Sequence, residues 1–213
     1  MNDLPYAFCD AVAAILHDLR SIRECMNEAN SLNWGIWKAA AADHFSKRSI
    51  IRFYVNFNGG NWSCLIDKTD SIGNSTRMNL QEVQAMKRNY VHVEFVEFAS
   101  YYNNLKRATF DEIVQILALL SPFTNHAQLF LEQFEAKNSE MSKLITMLYE
   151  ASFCRINVYQ WKNAYRAFLC HQMKKSNSLQ YIEGHNVDDH FPKDLLARID
   201  RFNRTKLPKL KRS

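Results

Sequence analysis

Between residues 51 and 66 the hydrophobic period of this chain changes to two. Ile51, Phe53, Val55 and Phe57 alternate with Arg52, Tyr54 and Asn56, the period of a strand with two distinct faces. Gly59-Gly60 follows, flanked by Asn58 and Asn61. Two adjacent glycines suit a two-residue hairpin turn because both central positions can take φ > 0. Folding the chain about that pair sets Phe57 opposite Trp62, Val55 opposite Cys64 and Phe53 opposite Ile66. All three pairs are apolar and share one face, so turn and hydrophobic pattern specify the same register.

Upstream the spacing is helical. Asp3 can act as N-cap with Pro5 in the first turn, where its missing N–H costs nothing. Phe8, Val12, Ile15, Leu16 and Leu19 then define one apolar face. A second short helix carries Ile22 and Met26. A third runs from about Leu32 through Ile36, Trp37, Ala40 and His44. Three short helices cannot each bury a face alone, so they should pack together or onto a partner.

Downstream, Thr69 to Met78 reads as a polar loop. Asn79 and Glu82 then form a capping-box pattern for a short helix through Leu80, Val83 and Lys87. Val91, Val93 and Phe95, with Glu94 and Glu97 between and after them, predict a strand. Thr109 with Glu112 caps a helix bearing Ile113, Ile116, Leu117 and Leu120, which Pro122 ends. Three apolar segments then begin at equal intervals, at Leu129, Cys154 and Leu179, with helical patterns between them (Met141 to Leu148, Trp161 to Phe168). A last helix follows Pro192 with Leu195, Ile199 and Phe202. One strand and one helix per ~25 residues lies in the range of leucine-rich repeats. Stacking such units on parallel strands covers the apolar side each leaves open. The fold class expected is therefore α+β or α/β: an N-terminal three-helix region, a β-hairpin, then strand–helix repeats forming a short parallel sheet. The L-x-x-L-x-L-x-x-N consensus is missing, so the repeats would be degenerate; an ordinary open α/β sheet is the alternative.

Charge narrows the function classes. The chain of 213 residues carries a net +5, yet seven basic residues and one acid fall between Arg198 and Ser213. Residues 1–197 therefore sum to −1, which argues against an extended phosphate-binding face. There is no G-x-S-x-G, Walker A loop or G-x-G-x-x-G, and five scattered glycines build no phosphate cradle. His185-Asn-Val-Asp-Asp-His190 gathers ligand-capable side chains but reads as a solvated loop before Phe191-Pro192. Glu132 with Glu135 and Asp188 with Asp189 have nothing to place them in one cleft. No catalytic residue, cofactor or metal site is expected, and the chain is read as no enzyme. Five dispersed cysteines without C-x-x-C imply free thiols in a reducing compartment. No apolar run approaches the roughly 18 residues of a membrane span, and the first residues lack the basic start of a signal peptide. The expected location is intracellular, cytoplasmic or nuclear.

Leu4-Pro5, the apolar run Val12, Ile15, Leu16 and Leu19, and the later tryptophans Trp34 and Trp37 together resemble the outline of an F-box. Leu-Pro-Tyr-x-Phe-Cys-Asp, Trp37-Lys-x-Ala, Asn-Gly-Gly-x-Trp and Phe191-Pro-x-Asp-Leu-Leu with Ile199 make the whole chain similar to a nematode family of F-box-like proteins with degenerate strand–helix repeats. Arg20, Arg23, Glu24, Asn27 and Glu28 depart from that pattern by their polarity. The resemblance implies a substrate-recognition adaptor of a cullin–RING ubiquitin ligase. Leu4, Pro5, Ile15, Leu16 and Leu19 would then contact a Skp-type linker protein, and the repeats would bind a protein target. Residues alternating with the inward apolar set, Phe130, Glu132, Arg155, Asn157, Gln180 and Ile182, are the candidates for that target surface. The implied domains are a helical F-box-like region at 1–47, a hairpin and repeat domain at 48–205, and a basic tail at 206–213. The alternative is a nuclear or nucleic-acid-associated protein held by Lys206-Leu-Pro-Lys-Leu-Lys-Arg212.

Overall fold

A computed structural model describes residues 35–86, 90–102, 105–132, 138–175, 177–185 and 191–206. The expected helices before residue 35, with Leu4, Pro5, Ile15, Leu16 and Leu19, lie outside the described residues, as does the tail beyond Lys206. The elements are α1 Gly35–Lys47, β1 Ser49–Asn58, β2 Asn61–Thr69, β3 Ser75–Met78, α2 Leu80–Gln84, β4 Val91–Ala99, β5 Lys106–Arg107, α3 Phe110–Leu120, β6 Ala127–Leu131, α4 Asn138–Met147, β7 Phe153–Val158, α5 Asn163–Lys175, β8 Tyr181–Gly184 and α6 Lys193–Lys206. All eight strands join one mixed sheet in the order β3-β2-β1-β4-β6-β7-β8, with β5 beside β2. β3, β2 and β1 run antiparallel, whereas β1, β4, β6, β7 and β8 are parallel. The chain is thus a mixed α/β fold.

The hairpin forms in the register its turn dictates. Phe57 pairs with Trp62, Val55 with Cys64 and Phe53 with Ile66, while Gly59 and Gly60 take φ of 57° and 83°. Both capping boxes form as well. Asn79 accepts from the Glu82 N–H at 3.0 Å and donates its own N–H to Glu82 at 2.7 Å. Thr109 and Glu112 repeat the arrangement at 3.1 and 2.7 Å.

The segment expected as a polar loop contains β3, which pairs through its backbone with Ile66–Thr69 of β2. Its residues are almost wholly exposed, so no apolar alternation marks it; the strand exists because the β2 edge offers hydrogen bonds.

The repeat spacing also differs from expectation. Leu129 faces Ile156 and Ile156 faces Ile182, so the strands are offset slightly more, and less evenly, than the apolar segments of the sequence. A register break lengthens the first of these steps, and another lies between β1 and β4. Ile51 pairs with Val93 but Arg52 with Phe95, leaving Glu94 as an extra residue in β4. Ala127 pairs with Phe153 but Gln128 with Arg155, leaving Cys154 as an extra residue in β7. Each extra residue reverses which side chains face the core.

One apolar cluster lies between the sheet and its helices. It joins Phe53, Val96, Phe98, Leu129, Leu131, Ile156, Val158 and Ile182 of the strands to Ile113 and Leu117 of α3, Leu144 of α4, Phe168 of α5 and Leu195 of α6. Two buried amides stitch this layer to the backbone. Gln172 of α5 donates to the carbonyls of Leu148 and Ala151 at 3.3 and 2.9 Å. Asn203 of α6 accepts from the Ile182 N–H at 3.0 Å and donates to the Ile182 carbonyl at 2.7 Å. The Ile182 backbone groups on the outer side of the last strand are thereby occupied, which blunts an edge that could otherwise recruit another chain. Cys64, Cys154 and Cys170 are free thiols. Among the described residues no helix is long and apolar enough to cross a membrane.

Candidate functional site

The side of the sheet opposite that cluster carries a different set of residues. Strand pairing arranges them in rows perpendicular to the chain. One row reads Asp67, Arg52, Phe95, Gln128, Arg155 and Tyr181 from β2 to β8. The next reads Leu65, Tyr54, Glu97, Phe130, Asn157 and Glu183. Beyond the strands' carboxyl ends the ladder continues one step further. The N–H groups of Glu132, Tyr159 and His185 donate to the carbonyls of Phe98, Leu131 and Val158 at 2.9, 2.8 and 2.8 Å. Glu132, Tyr159 and His185 therefore form a third row at the edge where parallel sheets commonly receive ligands.

Aromatic side chains tile this face. Tyr54 meets Phe95 edge-on at 5.1 Å and Tyr102 at 5.5 Å, and Phe95 meets Phe130 at 5.7 Å. Tyr159 stacks on His185 with ring centres 4.1 Å apart. Asn56 holds the chain after β4 in place: it accepts from the Tyr102 N–H at 3.2 Å and donates to the Tyr102 carbonyl at 3.1 Å. That anchoring lets Tyr101 and Tyr102 both donate their hydroxyls to one oxygen of Glu97, at 2.6 and 2.8 Å.

Charge on the face falls into two groups. Arg52 pairs with Glu94 at 2.6 Å, and Arg155 with Glu183, which also has His185 at 3.6 Å. Glu97 and Glu132 form no ion pair with a described residue. Partial burial, with Glu97 close by, raises the Glu132 carboxyl to about 7. Burial and the bond to Glu97 raise the Tyr102 hydroxyl to about 12 and the Tyr101 hydroxyl further still. Asn157, between Phe130 and Glu183, is only 2% exposed, and its Nδ2 has no hydrogen-bond partner. The arrangement can hold a group bearing positive charge and a flat or apolar body, with an acceptor available to Asn157.

Phe130, Glu132, Arg155 and Asn157 of the expected surface set lie together on this face. Gln180 is exposed just before β8 and belongs to none of the rows. Ile182 is a correction: it is 1% exposed within the apolar cluster. Leu179 and Ile182 are both buried though three residues apart, so alternation counted from Leu179 assigns β8 the wrong parity, and Tyr181 and Glu183 occupy the face instead. Glu97 and Tyr159 join the site without any local sequence signal, because strand pairing brings them there; Tyr102 is brought by its bonds to Asn56, and His185, at the start of the His185–His190 stretch, ends the third row. Glu135, which nothing in the sequence places in one cleft with Glu132, lies outside the described residues, as do Asn186 to His190.

Comparison with family models, with curated proteins and with solved structures finds no match to this chain.

Proposed function

We propose that this chain is a non-catalytic protein-interaction module that grips a protein target on the face of its sheet opposite the apolar cluster. The observation that carries this reading is the content of that face: aromatic side chains and charges interleaved in registered rows across five parallel strands. Large, conformationally restricted aromatic surface beside charged groups is the composition of protein-binding hot spots. The succession β6-α4-β7-α5-β8-α6 supports reading these units as degenerate leucine-rich-type repeats. The strands are parallel, and the steps from Leu129 to Ile156 and from Ile156 to Ile182 suit the repeat length of that class.

Within this proposal the N-terminal segment is an F-box-like element that docks a Skp-type linker through Leu4, Pro5, Ile15, Leu16 and Leu19, making the chain a substrate adaptor of a cullin–RING ubiquitin ligase working inside the cell. A pull-down with purified linker protein tests that part. Retention by the wild-type chain and loss with Leu4→Asp and Leu16→Asp is the expected result. No retention by the wild type would remove the ligase role and leave the target-binding face, which Phe130→Arg tests separately by abolishing target capture.

A further inference from the structure

We infer that the carboxyl edge of the sheet is a docking subsite for an arginine side chain of the target protein, held between Glu97 and Glu132. This subsite rests on the target-binding reading above and specifies its chemistry. Three observations converge on it. Glu97 and Glu132 are neighbouring carboxylates at the carboxyl edge that no described cation pairs, while Glu94 and Glu183 have Arg52 and Arg155. Aromatic rings border both: Tyr101 and Tyr102 on Glu97, and Phe130 and Tyr159 beside Glu132 along the strands. The third is Asn157, buried with an unpartnered amide N–H donor one position from Phe130 in the same row.

A guanidinium fits this set better than an ammonium. It is planar, stacks on aromatic rings, and offers a fork of donors that two carboxylates can share. Asn157 supplies what such a side chain lacks, a donor for the peptide carbonyl of the segment that carries it. A buried amide without a partner is costly, and an extended segment laid along the row would complete its bonding. The two carboxylates cost the unbound protein something as well, because they repel. A bound cation removes that cost by favouring the ionised form of Glu132. With its carboxyl at about 7, affinity should rise as pH increases from 6 to 8, with a proton released on binding. Glu97 on β4, Tyr101 and Tyr102 after it, Tyr159 after β7, Glu183 and His185 on and after β8, and Arg155 on β7 face or approach the same region.

The probe is acetyl-Gly-Arg-Gly-amide, titrated into the 15N-labelled full chain and followed by NMR, with the citrulline peptide as its uncharged counterpart. The expected result is shifts at the Asn157 side-chain amide and at the backbones of Glu97, Glu132 and Tyr159, with citrulline binding about tenfold more weakly. Glu132→Gln should weaken arginine binding by a similar ~tenfold while melting no lower than wild type, because it removes the repulsion from Glu97. Equal binding of the two peptides, shifts confined to other parts of the molecule, or unchanged affinity in Glu132→Gln would each overturn the subsite. The broader reading is separable. If Phe130→Arg abolishes target capture while the arginine peptide fails these criteria, the face binds a partner and the arginine subsite is wrong.

Discussion

The two faces of the sheet solve the same problem of polar groups in opposite ways. On the helix-covered face the side chains of the strands are apolar, and the polar groups that enter the layer mostly complete backbone bonds: Gln172 with Leu148 and Ala151, Asn203 with Ile182. On the other face polar groups bond to one another laterally, as in Arg52 with Glu94, Arg155 with Glu183 and the two tyrosines with Glu97. The first arrangement specifies a fold. The second leaves valence unspent, at Asn157 and at the carboxylates of Glu97 and Glu132, and unspent valence is what a binding surface needs. The same sheet can therefore be stabilised from one side and employed from the other.

The largest test of that division compares neighbours in β6. Leu129 is fully buried in the apolar cluster, so Leu129→Ala should cost ~3 kcal/mol in equilibrium urea unfolding, the sum of lost transfer energy and a cavity. Phe130, one residue on, faces the other way and is partly exposed. Phe130→Ala should cost about 1 kcal/mol or less despite the larger side chain. Comparable losses at the two positions would mean that the second face is a core too.

Next in size is Asn203→Ala. Both Ile182 backbone groups lose their partner in a buried setting, and the expected cost is ~2 kcal/mol. Hydrogen exchange should show faster opening of β8 than of β6, since only the terminal strand depends on that amide.

How much of this division can be read from the sequence depends on how local its cause is. The hairpin and both capping boxes are legible because each is set within a few residues: a turn fixes the register, and a side chain reaches the backbone three positions on. The bulges are not local. Val91, Val93 and Phe95 look like one face, and simple alternation would then send Glu97 to the core as well. The extra residue at Glu94 reverses the parity, so that Val96 and Phe98 enter the core while Phe95 and Glu97 turn outward. The same kind of break in β7, at Cys154, lengthens the strand offset beyond the interval between Leu129 and Cys154 that the sequence suggests. The approach of Glu97 to Glu132 depends on the first bulge and on the pairing of β4 with β6, and neither has a marker in either strand alone. Strand β3 is silent for another reason, because backbone pairing needs no apolar side chains.

The carboxylate pair sharpens the comparison through pH. Glu132 titrates near 4.5 in the unfolded chain and at about 7 in the folded one. The folded state thus binds more protons in that interval, and stability declines as pH rises from about 4.5 through 7. For a carboxylate still partly in water this decline should amount to ~1–2 kcal/mol. Glu132→Gln should remove this part of the decline and make the protein more stable than wild type at pH 8, with little difference at pH 4. A decline of equal size in the variant would assign it to other groups.

The smallest effect concerns the one tyrosine that breaks the rule of the covered face. Tyr165 of α5 is fully buried in the apolar cluster, and its hydroxyl has no hydrogen-bond partner. Burial pushes that hydroxyl's pKa well upward. It therefore stays neutral across ordinary pH and contributes no titration to stability there. What remains is the cost of a buried donor and acceptor left unsatisfied, reduced in Tyr165→Phe by the loss of a single oxygen whose space the neighbouring Trp161 and Phe168 side chains can partly take up. Tyr165→Phe should raise the unfolding free energy by ~1 kcal/mol, independent of pH between 5 and 8, in urea titrations run beside Glu132→Gln. A destabilisation would show that the hydroxyl is bonded in solution, and the covered face would then hold a polar group serving something other than its own backbone.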